Sequence, residues 1–347
     1  MRRPAPPQAA LALAALAGAA LAAIAVRRPA DAAQAWLAAY LFWAGLPVGA
    51  LFLALSHGLT GGAWGLTLRP TLAAMLRTMP LLALFLVPVL LAARQIYPWA
   101  AGGGEGWLRP WFFAARAVAY AVLWNAIALG VLRRARPDGR LAPAFAWPAL
   151  ILLFFSTGLA ALDWLMSLEP GWTSTIFGLM VTAGWTLAGA AAALALTAAL
   201  TPPERAEPLD APARIVLALV FLWAYLSVVQ LIVIWESDLS REIPWYLRRL
   251  YGFWGWAGMG FAVFAFAAPF LILIWQKLRR SRPAVLAAAG AIVAAHLVES
   301  LWLSLPDFGR PPGWADVLAV VAIGAAFFFA GGRDFRALPV RSGDAGG

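Results

Sequence analysis

His296 and Glu299 stand three residues apart in "AAHLVES", inside a long apolar run. At that spacing both side chains lie on one face of a helix. An imidazole beside a carboxylate can pass a proton without a metal, and ionisable groups inside an apolar span are functional candidates by default. The competing reading is a buried structural pair that pins its helix to its neighbours. A third acid, Asp163, closes another apolar run in "ALDWLMSLEPGWTSTIFG" (161–178), a stretch with Glu169, Trp164 and Trp172 but no Lys or Arg. An acid within the last turn of an apolar helix is costly unless it faces the bundle interior. Asp163, His296 and Glu299 are therefore expected to line a polar interior as protonatable positions. Arg116, Asn125 and Gln230 are further polar residues within spans, with Arg116 read as a snorkelling or charge-pairing residue. His57 and Asp238 complete the candidates for a proton path or a ligand-site wall.

The residue types also limit the chemistry. The 347 residues include no Cys and two His. Cysteine-ligated iron–sulfur clusters, covalently attached haem and disulfides are excluded. A bis-histidine haem needs two imidazoles at one depth. His57 falls at one end of its apolar run and His296 well inside another, so no intrinsic redox metal is expected.

These residues must be positioned by membrane helices. The chain is 63% hydrophobic and 12% charged, against about half and a quarter in soluble domains. Lipid offers backbone groups no hydrogen-bond partner, so long apolar runs cross it as helices of roughly 20 residues. Ten segments qualify, at about 8–26, 33–56, 71–93, 111–132, 143–163, 174–199, 212–235, 246–275, 283–305 and 313–330. The first follows Arg2 and Arg3 like a cleaved leader. Its apolar core is longer than such leaders have, and Arg27, Arg28 and Pro29 follow it, so it is read as a membrane helix. Of the 26 basic residues, 17 fall on the side of the N-terminus and nine on the other. The positive-inside bias then makes the first side cytoplasmic, with both termini there. The net charge of +10 is a topology signal, and no basic stretch reads as a nucleic-acid site.

An internal echo organises the spans. Pro110, Trp111 and Arg116 recur as Pro244, Trp245 and Arg249 at offsets of 134, 134 and 133, and Asp163 recurs as Glu299 at 136. A shift of four helices keeps orientation. The predicted fold is all-α and polytopic, with about ten transmembrane helices in two parallel-repeat four-helix bundles plus two flanking helices. The division is 1–32 for the first helix and loop, 33–165 and 166–308 for the bundles, and 309–347 for the last helix and tail. On the face opposite the termini the junctions mix tryptophan with acid, and an aromatic belt accounts for most of the tryptophans. Pro170 reads as a helix stop and Ser174 as the N-cap of the sixth span.

"DWLMSLEPGWTSTIFG", "SHGLTGGAWGLTLRP", "QIYPWA" and "EIPWYLRRLYGFWGW" together resemble the ActF subunit family of alternative complex III, over about residues 42–308. Trp164, Ser167, Glu169, Pro170, Trp172, Pro244, Trp245 and Tyr246 carry the two most specific motifs. The resemblance implies a ten-helix subunit of two four-helix bundles, related to NrfD-like quinol-binding subunits. It further implies a respiratory complex of the bacterial inner membrane that oxidises quinol, whose redox centres sit in partner iron–sulfur and cytochrome c subunits. Quinone or quinol is the one cofactor it allows here, and a proton pathway is a role proposed for the family. The chain departs from the pattern at Gly171, where the family carries His, at Thr173, where it carries an aromatic residue, and in the run 238–242, where it carries Asn-Leu-Pro-Glu-Glu.

Three functions follow as expectations. The first is a membrane subunit of a quinol-oxidising complex that contributes a proton path or quinone-site walls. The second is a non-redox scaffold that anchors peripheral subunits, with lipid and those subunits as its partners. The third is a secondary transporter. A transporter's midplane polar site is disfavoured because the polar residues cluster toward one face.

Overall fold

A backbone that cannot bond to lipid must bond to itself, and the computed structural model describes residues 7–201 and 208–341 as helices joined by short turns, with no strand among them. Of Pro7 and residues 333–341 only the backbone course is described. The long elements are α1 (Pro7–Arg27), α2 (Pro29–Thr60), α3 (Ala63–Leu76), α4 (Met79–Leu91), α5 (Pro110–Arg134), α6 (Pro143–Trp164), α7 (Phe177–Leu200) and α8 (Asp210–Ser237). They continue as α9 (Ile243–Leu250), α10 (Gly252–Ala262), α11 (Ala268–Leu273), α12 (Arg282–Ser304) and α13 (Trp314–Arg341). Proline opens α2, α5, α6 and α12 near its first turn, where its missing N–H has no helical partner to lose. Among the described residues nine helices are long and apolar enough to cross a bilayer, or ten crossings with the bent α3–α4 pair counted as one. The chain is an all-α polytopic membrane protein.

Two expected spans change shape. The span at 71–93 begins earlier, at Ala63, and bends by 42° between α3 and α4. Thr78 stands at the bend, and both its backbone N–H, at 3.0 Å, and its hydroxyl, at 2.7 Å, donate to Met75 O. The span at 246–275 divides. Tyr246 to Leu250 belong to the separate short helix α9, and the membrane helix starts at Gly252 and passes through a π turn, Val263–Ala267, into α11.

Packing closes two rings. In one, α2, α3–α4, α5 and α6 touch in order and α6 returns to α2. In the other, α7, α8, α10–α11 and α12 do the same. The rings meet where α2 lies against α7, and α13 packs on α2 with α1 outside it. Glycine makes the central contact possible. A Cβ on Gly49 would fall 1.9 Å from Trp185 O, and one on Gly189 would fall 2.5 Å from Ala50 N. The α2 and α7 backbones thus approach with nothing between them, the small-residue crossing typical of membrane helices.

Tryptophan is used differently from a belt. Trp99, Trp124, Trp164, Trp172, Trp185, Trp223, Trp245, Trp254 and Trp302 are buried, nine of the 19. Trp107, Trp111, Trp147, Trp235, Trp256, Trp275 and Trp314 are exposed, and only this group suits an interfacial belt. The buried group packs into the core of the two rings.

Candidate functional site

Asp163 ends α6 fully buried, and α5 brings its partners. Arg116 grips the carboxylate with two parallel bonds, Nε to Oδ2 at 2.9 Å and Nη2 to Oδ1 at 2.7 Å. The Tyr120 hydroxyl donates to Oδ2 at 2.9 Å and the Trp107 indole N–H to Oδ1 at 2.8 Å. Arg116 is held in turn: its Nη1 donates to Trp107 O at 2.8 Å, and the guanidinium lies 3.9 Å over the Trp107 ring. A bidentate arginine with two further donors leaves the carboxylate satisfied as an anion. Asp163 faces a polar interior, and that interior is a closed cage rather than a passage.

The second acid is held less tightly. On α12, His296 Nδ1 and Glu299 Oε2 share a hydrogen bond at 3.1 Å. Either a neutral imidazole N–H or a protonated carboxyl can supply its hydrogen. From α8 the Trp223 indole N–H donates to Glu299 Oε1 at 2.8 Å. No Lys or Arg bonds to this carboxyl among the described side chains. His296 is 4% exposed and Glu299 8%. Glycines make the room: a Cβ on Gly45 of α2 would lie 2.7 Å from His296 Nε2, and one on Gly184 of α7 would lie 3.3 Å from Glu299 Oε2. His296 Nε2 is buried with no hydrogen-bond partner. The pair therefore sits where the two rings meet, walled by α2, α7, α8 and α12. Glu299 is five residues from the end of α12, about 8 Å along the axis, so the site lies toward the face opposite the N-terminus.

The remaining candidates lie apart. His57 is on α2 three turns beyond Gly45, about 18 Å along the axis. Its Nε2 is 3.1 Å from Gly62 O, and its ring packs against Trp64 in a socket that a side chain on Gly65 or Gly139 would fill. It joins the α2–α3 turn to the α5–α6 loop. Asp238 ends α8 at a left-handed φ of 47° and is exposed. Ser174 is not a cap: α7 starts at Phe177 with no side-chain cap, and the Ser174 hydroxyl donates to Gln230 Oε1 at 2.6 Å. Ser167 Oγ donates to Asp163 O at 2.5 Å, tightening the turn that ends α6.

Trp172 and Trp245 are core residues, not interface anchors. Their rings stack 4.3 Å apart at 9°. Trp245 also lies 3.7 Å beneath the Arg249 guanidinium, with Tyr246 packed edge-on against it. Pro244 lies in the first turn of α9, and Pro170 is exposed beside Glu169, which Arg248 bonds at 2.5 Å. Sequence reasoning missed a second cage here. Arg249, fully buried, donates to Trp302 O, Leu303 O and Asp307, the last at 2.7 Å. Burial pulls the Arg249 guanidinium below its ordinary value and the Asp307 carboxylate pushes it back up. The acid that Arg249 bonds, as Arg116 bonds Asp163, is thus Asp307. The echo of Arg116 in Arg249 was the usable signal.

An apolar hollow of about 440 Å³ lies on the far side of Phe42, whose ring centroid is 5.7 Å from that of His296. Its walls include Leu46, Met75, Val293, Leu297 and Phe327, and Thr78, with its hydroxyl already bonded, is the one polar side chain apart from the Trp43 indole, which donates to Val320 O. Such walls fit an apolar chain. They offer no free donor to a quinone headgroup. The chain matches no known family model and no curated protein sequence.

Proposed function

We propose that this chain is an integral membrane subunit of a quinol-oxidising respiratory complex of the alternative complex III type, handling protons at His296–Glu299 and holding no redox centre. The observation that carries the reading is the contrast between two buried acids. Asp163 is locked by an arginine and two neutral donors, whereas Glu299 faces an imidazole and an indole N–H with no bonded cation. A carboxyl without a cation can change protonation state inside the bilayer, and the adjacent imidazole is the natural acceptor. The sequence motifs supply the respiratory context. Proton handling suits the site better than quinone-site walls, because the neighbouring hollow lacks headgroup partners.

The test is mild-detergent purification of the full chain from its native membranes, with identification of what accompanies it and assay of quinol oxidation. Iron–sulfur and cytochrome c subunits in fixed ratio, with quinol-dependent electron transfer, are the expected result. A chain that isolates alone, or with partners carrying no redox centre, overturns the respiratory assignment.

A further inference from the structure

The apolar hollow beside Phe42 has a cationic end. Gly290 and Ala294 of α12 and Phe328 of α13 are exposed, so the hollow opens to the bilayer between these helices. On α7 its wall runs through Ala192, Ala195 and Leu196, and Ala199 continues the same face at helical spacing. On α12, steps of three and four residues lead from Leu297 through Val293 and Gly290 to Leu286 and Arg282. The two faces meet there, where Arg282 Nη2 donates to Ala199 O at 3.2 Å. Among the described residues that is the guanidinium's one bond, and no acid pairs with it. Lys277 and Arg280 are exposed in the turn before α12 and pair with no described acid either. Trp275 in the same turn is 66% exposed, which suits the headgroup level of a membrane.

We infer that the hollow holds one acyl chain of an anionic phospholipid whose phosphate bonds Arg282. Arg282 to Leu297 covers about 22 Å along the helix axis. That is one leaflet, headgroup included, of a bilayer roughly 40–45 Å thick. A phosphate can accept from the guanidinium donors that Ala199 O leaves over. The two neighbouring cations favour a headgroup of net negative charge. The walls themselves select a hydrocarbon chain, because the Thr78 hydroxyl and the Trp43 indole N–H are already bonded. Such a lipid would sit there whether or not the His296–Glu299 pair handles protons.

The experiment uses the full chain with the subunits that accompany it, stripped of lipid in detergent. It is offered dipalmitoyl phosphatidylglycerol or dipalmitoyl phosphatidylcholine, and retained lipid is read by native mass spectrometry. The wild type is expected to hold one phosphatidylglycerol per chain in preference to phosphatidylcholine. Arg282→Gln is expected to weaken phosphatidylglycerol retention roughly fivefold, the weight of one basic residue at a lipid surface, and to remove most of the preference. Ala195→Phe fills the hollow and is expected to abolish retention of both lipids. Ala287→Phe, in the neighbouring groove between α10 and α12, is expected to behave as wild type. Retention unchanged in A195F, or lost equally in A287F, would mark ordinary surrounding lipid and overturn the inference. So would a quinone retained in place of the phospholipid. Should A195F fail to fold, R282Q decides alone, and an undiminished preference for phosphatidylglycerol overturns the headgroup contact.

Discussion

At the scale of single residues, two acids of similar sequence context do different work. Asp163→Asn removes the charge that Arg116 faces and leaves a buried guanidinium without its counter-ion. The loss is expected to be on the order of 3 kcal/mol, read as lower subunit yield and lower Tm, with turnover per surviving complex intact. Glu299→Gln leaves no cation stranded and preserves volume. It is expected to keep assembly and Tm near wild type while lowering proton-coupled turnover per assembled complex. Equal behaviour of the two variants would abolish the distinction. The sequence made His296 and Glu299 legible as a pair because helix spacing alone brings them together. It could not show the Asp163 cage or the Arg249–Asp307 cage, whose partners are separated by 47 and 58 residues. Nor does composition separate a belt tryptophan from a core one: Trp172 and Trp256 differ only in what the fold places over them.

At the scale of elements, hydropathy located the spans because lipid leaves a long apolar run one structure to adopt. It did not locate the bend after α3 or the π turn before α11, which depend on neighbouring helices rather than on local residue type. The decisive contact is between α2 and α7, where Gly49 and Gly189 let backbone meet backbone. A methyl group at Gly49 would occupy the position of the Trp185 carbonyl, so neither a rotamer change nor side-chain repacking relieves it. Gly49→Ala is expected to destabilise the protein by about 3 kcal/mol or more, measured by thermal unfolding in detergent. Gly290 on α12 is the control. A Cβ there meets nothing within 4 Å, so Gly290→Ala is expected to keep stability or raise it by up to about 1 kcal/mol, the helix-propensity gain of Ala over Gly. A Gly49→Ala variant as stable as Gly290→Ala would show that the rings are not held together at this crossing.

At the scale of the whole molecule, orientation decides which compartment the His296–Glu299 site approaches. Ten crossings, with α3–α4 counted as one, would return the chain to the side on which it started. The bias of 17 basic residues against nine predicts that this side is the cytoplasm, because basic loops resist translocation. The junction holding Gly171 and the outer ends of Asp163 and Glu299 would then face the opposite compartment. The chain suits a direct test, since it has no native Cys and Gly171 is exposed with open space around its Cβ position. Gly171→Cys is expected to react with a membrane-impermeant thiol reagent in intact cells. Arg136→Cys, exposed in the loop between α5 and α6, should react only after the membrane is opened. Substitutions at two exposed positions leave both cages and the α2–α7 crossing untouched, so a labelling difference reports sidedness rather than unfolding. The reverse pattern would invert the molecule. The buried His296–Glu299 pair would then lie nearer the cytoplasmic face, and the proposed coupling to quinol oxidation would have to run in the other direction.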